Sequence, residues 1–286
     1  MVIKLEKNQK FLFKHSVITS LILVVLYCLF TFSPRILAII LFGSISFIFF
    51  IWIAFLMVFG SLAILWLIVV PRGLKLPNGK ESLKEYAESI RISPFNPWKR
   101  NIFLGIIFAA IVWIFTLIFS LLAGEYTFDP NIILGFPEEN NKGFFLFISS
   151  LTPGIWEEVA FRGVILTLLL KKYSEKKAII INGVLFGFAH VANIFSGKDV
   201  GATIIQMIYA TFWGFAFAYM YIKTESLIPC IIAHYLIDAV NPIFLNVILG
   251  QTILVLIYFM IFILILPLFL TIKLIQIIMK RETEPE

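Results

Sequence analysis

The chain has 286 residues, of which 60% are hydrophobic, 16% aromatic and only 14% charged, with a mean hydropathy of +0.99. Ordinary soluble domains hold about 45–50% apolar and about 25% charged residues, so a globule of this length could not hide so much apolar surface from water. The composition excludes a cytosolic enzyme, a nucleic-acid binder and a disulfide-stapled secreted domain, and predicts an all-α, polytopic membrane helical bundle forming a single integral-membrane domain over residues 1–286. The net charge of +6 does not point to nucleic acid, because the basic residues cluster between apolar runs, where they set orientation and meet anionic headgroups. Cys28 and Cys230 both lie inside apolar runs and imply neither a disulfide nor a CxxC metal site.

A span needs about 20 apolar residues at 1.5 Å each. Such runs extend from Val17 to Phe32, Ile36 to Val70, Ile102 to Leu122, Phe144 to Leu170, Ala178 to Phe195, Gly201 to Ile222, Leu227 to Leu249 and Thr252 to Ile272. The second would make a helix of about 52 Å, too long for one upright span and too short for two plus a turn. The basic residues on either side, Lys4, Lys7, Lys10 and Lys14 before the first run and Arg72 to Arg100 after the second, predict cytoplasmic flanks and hence an even number of crossings between them. A short first span followed by one long, tilted or bent second span satisfies this. Further on, the loop with Glu125, Asp129, Glu138 and Glu139 is acidic, whereas Lys171 to Lys177, Lys223 and Lys273 to Arg281 recur in alternation. Eight spans with both termini cytoplasmic, Gly124 to Lys142 outside and an uncleaved signal-anchor at the start fit every loop.

Residues 71–101 form the longest cytoplasmic connector. Ser82 and Glu85 make a capping box, and Leu83, Tyr86, Ala87 and Ile90 recur at helical spacing before Pro94, which predicts a short amphipathic helix on the membrane surface.

Chemistry is expected where ionisable groups lie in the membrane, because each costs a few kcal/mol at mid-bilayer. Within the runs the charged side chains are Glu157, Glu158, Arg162 and Asp238, joined by His190 and His234. Counting helical rise from the nearest cytoplasmic flank puts Glu157, His190 and His234 at depths of about 21, 18 and 13 Å, in overlapping layers. Glu158 and Arg162 are i, i+4, as are His234 and Asp238, while Glu157 is rotated off the Glu158–Arg162 face. Pro153 and Gly154 just before them can break the span and free backbone groups beside a polar cavity. Trp156, Trp213 and Tyr235 either line a hydrophobic groove or fill the bundle, and Phe186 is expected to be packing.

In order, on successive runs, Glu157-Glu158-Val-Ala-Phe-Arg162 has the form EExxxR, Phe186-Gly-Phe-Ala-His190 the form FxxxH, and His234-Tyr-Leu-Ile-Asp238 the form HxxxN/D. This resembles the CaaX prenyl protease and bacteriocin-processing (CPBP, or Abi) family of intramembrane proteases, over a catalytic core from residue 144 to 249. The resemblance implies hydrolysis of a peptide bond in a membrane-bound peptide or lipidated protein substrate, such as a prenylated CaaX tail or a leader peptide. By similarity Glu157 and His190 would bind and activate the water, and His234 and Asp238 would stabilise the oxyanion. Glu158 and Arg162 would form a structural ion pair, and the remaining spans would contribute only topology. A carboxylate and an imidazole facing one water can supply general-base catalysis without a Ser or Cys nucleophile. Two histidines and a carboxylate would also suit zinc, with Glu157, His190, His234 and Asp238 as its ligands. There is no HExxH helix, and a cofactor-free mechanism is preferred. The competing readings are an ion- or proton-coupled transporter and a noncatalytic immunity or interaction protein. No inverted repeat supports the first, and the intact set of costly buried charges argues against the second.

Overall fold

The computed structural model describes residues 7–78, 82–123, 129–138, 142–243 and 253–283. It is an all-helical bundle of the kind a bilayer demands, since helices satisfy their own backbone hydrogen bonds where no water can. After a short amphiphilic helix α1 (Lys7–Lys14), the chain forms α2 (Ser16–Phe42) and α3 (Phe47–Gly73). The connector helix α4 (Leu83–Ser89) comes next, then α5 (Trp98–Leu122). A helical run α6 over residues 145–170, α7 (Glu175–Ser196), α8 (Val200–Thr224), the shorter α9 (Ile228–Ile243) and α10 (Ile253–Lys280) complete it. Among the described residues, α2, α3, α5, α7, α8 and α10 are the 6 helices long and apolar enough to cross a membrane. The other two runs read as spans, α6 and α9, stand inside the bundle, although residues 244–249 of the latter run lie outside the described residues, as do 124–128 and 139–141 of the acidic loop.

The first two spans are divided differently from the sequence expectation. The break is not at Ser33-Pro34-Arg35: α2 continues through Pro34 to Phe42, and the chain turns at residues 43–46. The physical reason lies in a different helix. Pro34 has no N–H to give to Phe30 O, but Ser61 Oγ on α3 donates to that carbonyl at 2.8 Å, so the helix continues without an unpaired group in the membrane. The long second span is thus two helices of 27 residues each side of a tight turn, α2 having absorbed the start of the run.

The capping box forms, with Ser82 Oγ accepting from the Glu85 N–H at 3.2 Å and donating to Glu85 Oε2 at 2.9 Å. The helix it starts turns its apolar side to the protein rather than to lipid: Tyr86 and Ile90 are buried, and Ile90 packs against Gly163 of α6. Two backbone approaches set the rest of the bundle. A Cβ on Gly187 of α7 would lie 2.5 Å from Met207 O of α8, and one on Gly154 of α6 would lie 2.9 Å from Tyr235 Cα of α9. Small residues let membrane helices meet this closely, and the second contact brings the motifs of α6 and α9 side by side.

Candidate active site

Around the first motif the backbone of α6 is wound wider than an α-helix, with i→i+5 geometry over Pro153–Glu157 and Val159–Leu166. Pro153 removes one donor at the start, and such widened turns re-aim side chains and concentrate at functional sites. The two adjacent glutamates of this segment face different directions.

Glu158 points into the packed protein. Its Oε1 accepts from Arg162 Nη1 at 2.9 Å, and both side chains are 0% exposed. The guanidinium carbon lies 4.1 Å from the centroid of Phe186 and 4.9 Å from that of Phe217, so aromatic faces take up the charge where Nε and Nη2 find no hydrogen-bond partner among the described residues. The same Glu158 oxygen lies 2.7 Å from His234 Nδ1. With Nδ1–H donated to Glu158, the ring is fixed in orientation and its other nitrogen is turned to the opposite side. Phe217 stacks on that ring at 5.5 Å, and the edge of Phe186 closes it in at 5.9 Å.

Glu157 points the other way, into a cavity of about 440 Å³. His234 Nε2 looks into the same space, 3.8 Å from Glu157 Oε2 and 3.6 Å from Asp238 Oδ2, too far for hydrogen bonds to either. His190 joins them from the end of α7. Its Nδ1 is 2.9 Å from Phe186 O, a backbone contact one helical turn back that leaves Nε2 for the cavity. Phe186 does more than pack at random: it separates the two histidine rings, standing edge-on to His190 at 5.2 Å. The structure therefore brings Glu157, His190, His234 and Asp238, from three helices, to one cavity wall. Trp213 also lines it, whereas Trp156 is buried against Phe59 and Tyr235 lies against Gly154.

Two features escape sequence reasoning. Tyr27 of α2 donates its hydroxyl to Glu157 Oε1 at 2.9 Å across 130 positions of chain, so the first span supplies a side chain to the site and is not only topology. Its neighbours Cys28, Thr31 and Phe32 line the cavity as well. The signal available was a pair of hydroxyls at i, i+4, Tyr27 and Thr31, in the second half of a run whose other hydroxyls, Thr19 and Ser20, lie near its start. The other feature is the bond from Glu158 to His234, which makes the ion pair a support for the histidine.

Side-chain exposure grades along the site, from 0% at Glu158 and Arg162 through 8% at His234 and 15% at Glu157 to 38% at Asp238. The site is thus dry at one side and open at the other. As for a metal, among the described residues no three His, Cys, Asp or Glu side chains are grouped to hold an ion.

Compared with known proteins, residues 139–240 match the family model described as Rce1-like, Type II CAAX prenyl endopeptidase. That segment holds all three motifs and ends just past Asp238. No curated protein matches the chain. No solved structure matches it either.

Proposed function

We propose, from the premise that residues 139–240 place this chain in the CAAX prenyl endopeptidase family, that it hydrolyses a peptide bond of a membrane-associated peptide with water activated by Glu157 and His190. The observation that carries this reading is the convergence of Glu157, His190, His234 and Asp238 on one cavity between membrane helices.

Each group has a task that its contacts support. Glu157 accepts a proton from water, and the oxygen attacks the scissile carbonyl. His190, with Nδ1 tied to Phe186 O, offers Nε2 as the second acceptor that holds the water in line. The carbonyl oxygen becomes an oxyanion beside His234 Nε2 and Asp238. To donate there, His234 must carry a proton on both nitrogens, and the carboxylates of Glu157, Glu158 and Asp238 around it compensate that charge. Asp238 either donates in its neutral form or turns to His234 and holds it charged. Collapse of the tetrahedral intermediate breaks the C–N bond, and the proton on Glu157 passes to the leaving amine. One water is consumed, giving one new carboxylate and one new amine. Tyr27 fixes the carboxylate of Glu157 and Glu158 fixes the ring of His234, so base and oxyanion donor are both positioned by a second hydrogen bond.

Incubation of purified protein with a panel of prenylated and unprenylated membrane peptides tests the reading. Defined cleavage products from the wild type and none from Glu157→Gln are expected. Equal product from both would overturn the mechanism, and no product from the wild type against any peptide would overturn the function.

A further inference from the structure

We infer that the catalytic cavity receives its substrate from the non-cytoplasmic side of the membrane, so that the peptide cleaved is one presented on that face. The inference takes its substrate from the protease reading above, but its sidedness stands on separate observations.

The first is which segments share an end of the bundle. Lys172 Nζ donates to Lys14 O at 2.8 Å, Arg100 Nη2 to Thr224 O at 2.9 Å, the Leu227 N–H to Arg91 O at 2.9 Å, and Lys223 pairs with Glu175 at 2.7 Å. Lys171 Nζ reaches Pro77 O. The start of α2, the connector, the α6–α7 turn and the α8–α9 turn therefore lie together. At the opposite end Asn193 and Lys198 both donate to Gln206, at 3.0 and 2.6 Å, and the Phe144 N–H bonds Gly135 O at 2.8 Å.

The second is charge. Among the described residues, 14 Lys and Arg fall in the segments that meet at the first end (positions 7–14, 72–100, 171–177 and 223), against Arg35, Lys142 and Lys198 toward the other. Basic loops stay in the cytoplasm, which makes that end the cytoplasmic one.

The third is the direction of the cavity. Its lining runs from Phe161, Phe186 and Phe217 past Glu157 and His190 to Asn193, Gln206 and Asn241, and Asn193 and Gln206 lie with Lys198 at the end opposite the basic cluster. On the basic side Arg162 and Glu158 are wholly buried, and below them the connector is docked, with Tyr86 and Ile90 buried and Arg91 over the ring of Tyr221 at 5.0 Å. A peptide coming from the cytoplasm meets a packed floor. One held at the outer face, with its polar backbone among Asn193, Gln206 and Asn241 and its apolar part against Trp213 and the lipid, meets an open mouth. The chemistry this favours is a membrane-tethered peptide emerging on the outer face; a prenylated tail carried on the cytoplasmic face does not reach the glutamate.

The test is labelling of the full-length protein with a membrane-impermeant maleimide in right-side-out and inverted vesicles, in a Cys28→Ser, Cys230→Ala background carrying Thr31→Cys on the cavity wall, Lys198→Cys at the mouth or Lys176→Cys at the basic end. Thr31→Cys and Lys198→Cys are expected to react in right-side-out vesicles and Lys176→Cys only in inverted ones. Native Cys28, left in place with Cys230→Ala alone, provides a second reporter of the same wall. The inference is overturned if the wall reporters react from the side of Lys176→Cys, if they react from neither side while the other two do, or if Lys198→Cys reacts only in inverted vesicles. Labelling does not require turnover, so a protein that cleaves no peptide even in detergent would refute the protease reading and leave the sidedness to be decided on its own.

Discussion

The two adjacent glutamates divide the molecule into two regions built on opposite principles. On the side of Glu158 the groups are dry and hold one another: a carboxylate oxygen shared by Arg162 and His234, a guanidinium between two phenylalanine rings, and a docked connector beneath. On the side of Glu157, one residue earlier, the groups face open space, and their neighbours orient them without neutralising them. A membrane enzyme that admits water needs both regions. The dry half carries the cost of charges in lipid by mutual satisfaction, and so fixes the geometry of a wet half in which polar groups must remain available to a substrate. The same sequence element serves both because successive residues of a helix face different sides, so that Glu157 and Glu158 look to the two halves.

If this division holds, damage to the two halves will differ in kind. The largest effect on folding should come from Glu158→Gln, which leaves Arg162 with an uncompensated buried charge and His234 with a weaker partner; about 3–5 kcal/mol is typical for breaking a buried pair from one side. Thermal unfolding in detergent should show a marked loss, with activity falling alongside it. A variant as stable as wild type would remove the distinction between the halves. Tyr27→Phe should act in the opposite manner. Loss of the hydrogen bond to Glu157 is expected to lower kcat about tenfold or more with KM nearly unchanged, and to cost less stability than Glu158→Gln, about 1.5–3 kcal/mol for a hydrogen bond to a charged group. A change in KM alone would show that Tyr27 contacts substrate and does not position the base. The smallest effect is expected at the mouth. Asp238→Asn keeps a donor for the oxyanion and should remain substantially active, with chelators of little consequence once adventitious metal is controlled. Loss of activity restored by added zinc, with stoichiometric metal in the wild-type protein, would instead make Asp238 a ligand.

Much of this arrangement was legible in the chain because apolar length and buried charge are local properties. The runs, the capping box at Ser82 and the three motifs can be read by spacing alone. What could not be read depends on contacts between distant segments. A proline followed by an arginine marks a helix end in a single sequence, yet Ser61 supplies the donor for Phe30 O and α2 passes through Pro34. Tyr27 carries neither charge nor motif and becomes part of the site only by meeting Glu157. Glu158 had an obvious partner at i+4, which concealed its second bond, to His234 on α9. Likewise, depth counted along each helix places Glu157, His190 and His234 in overlapping layers but does not say which end of the bundle opens to them.

The central claim, that Glu157 makes water the nucleophile at a peptide bond, is tested most directly by cleaving a susceptible peptide in oxygen-18 water and weighing the products. The account predicts a single heavy oxygen in the newly formed carboxylate of the wild-type product and no product above background from Glu157→Gln, with that variant unfolding as the wild type does. Undiminished, labelled product from a folded Glu157→Gln protein would contradict it.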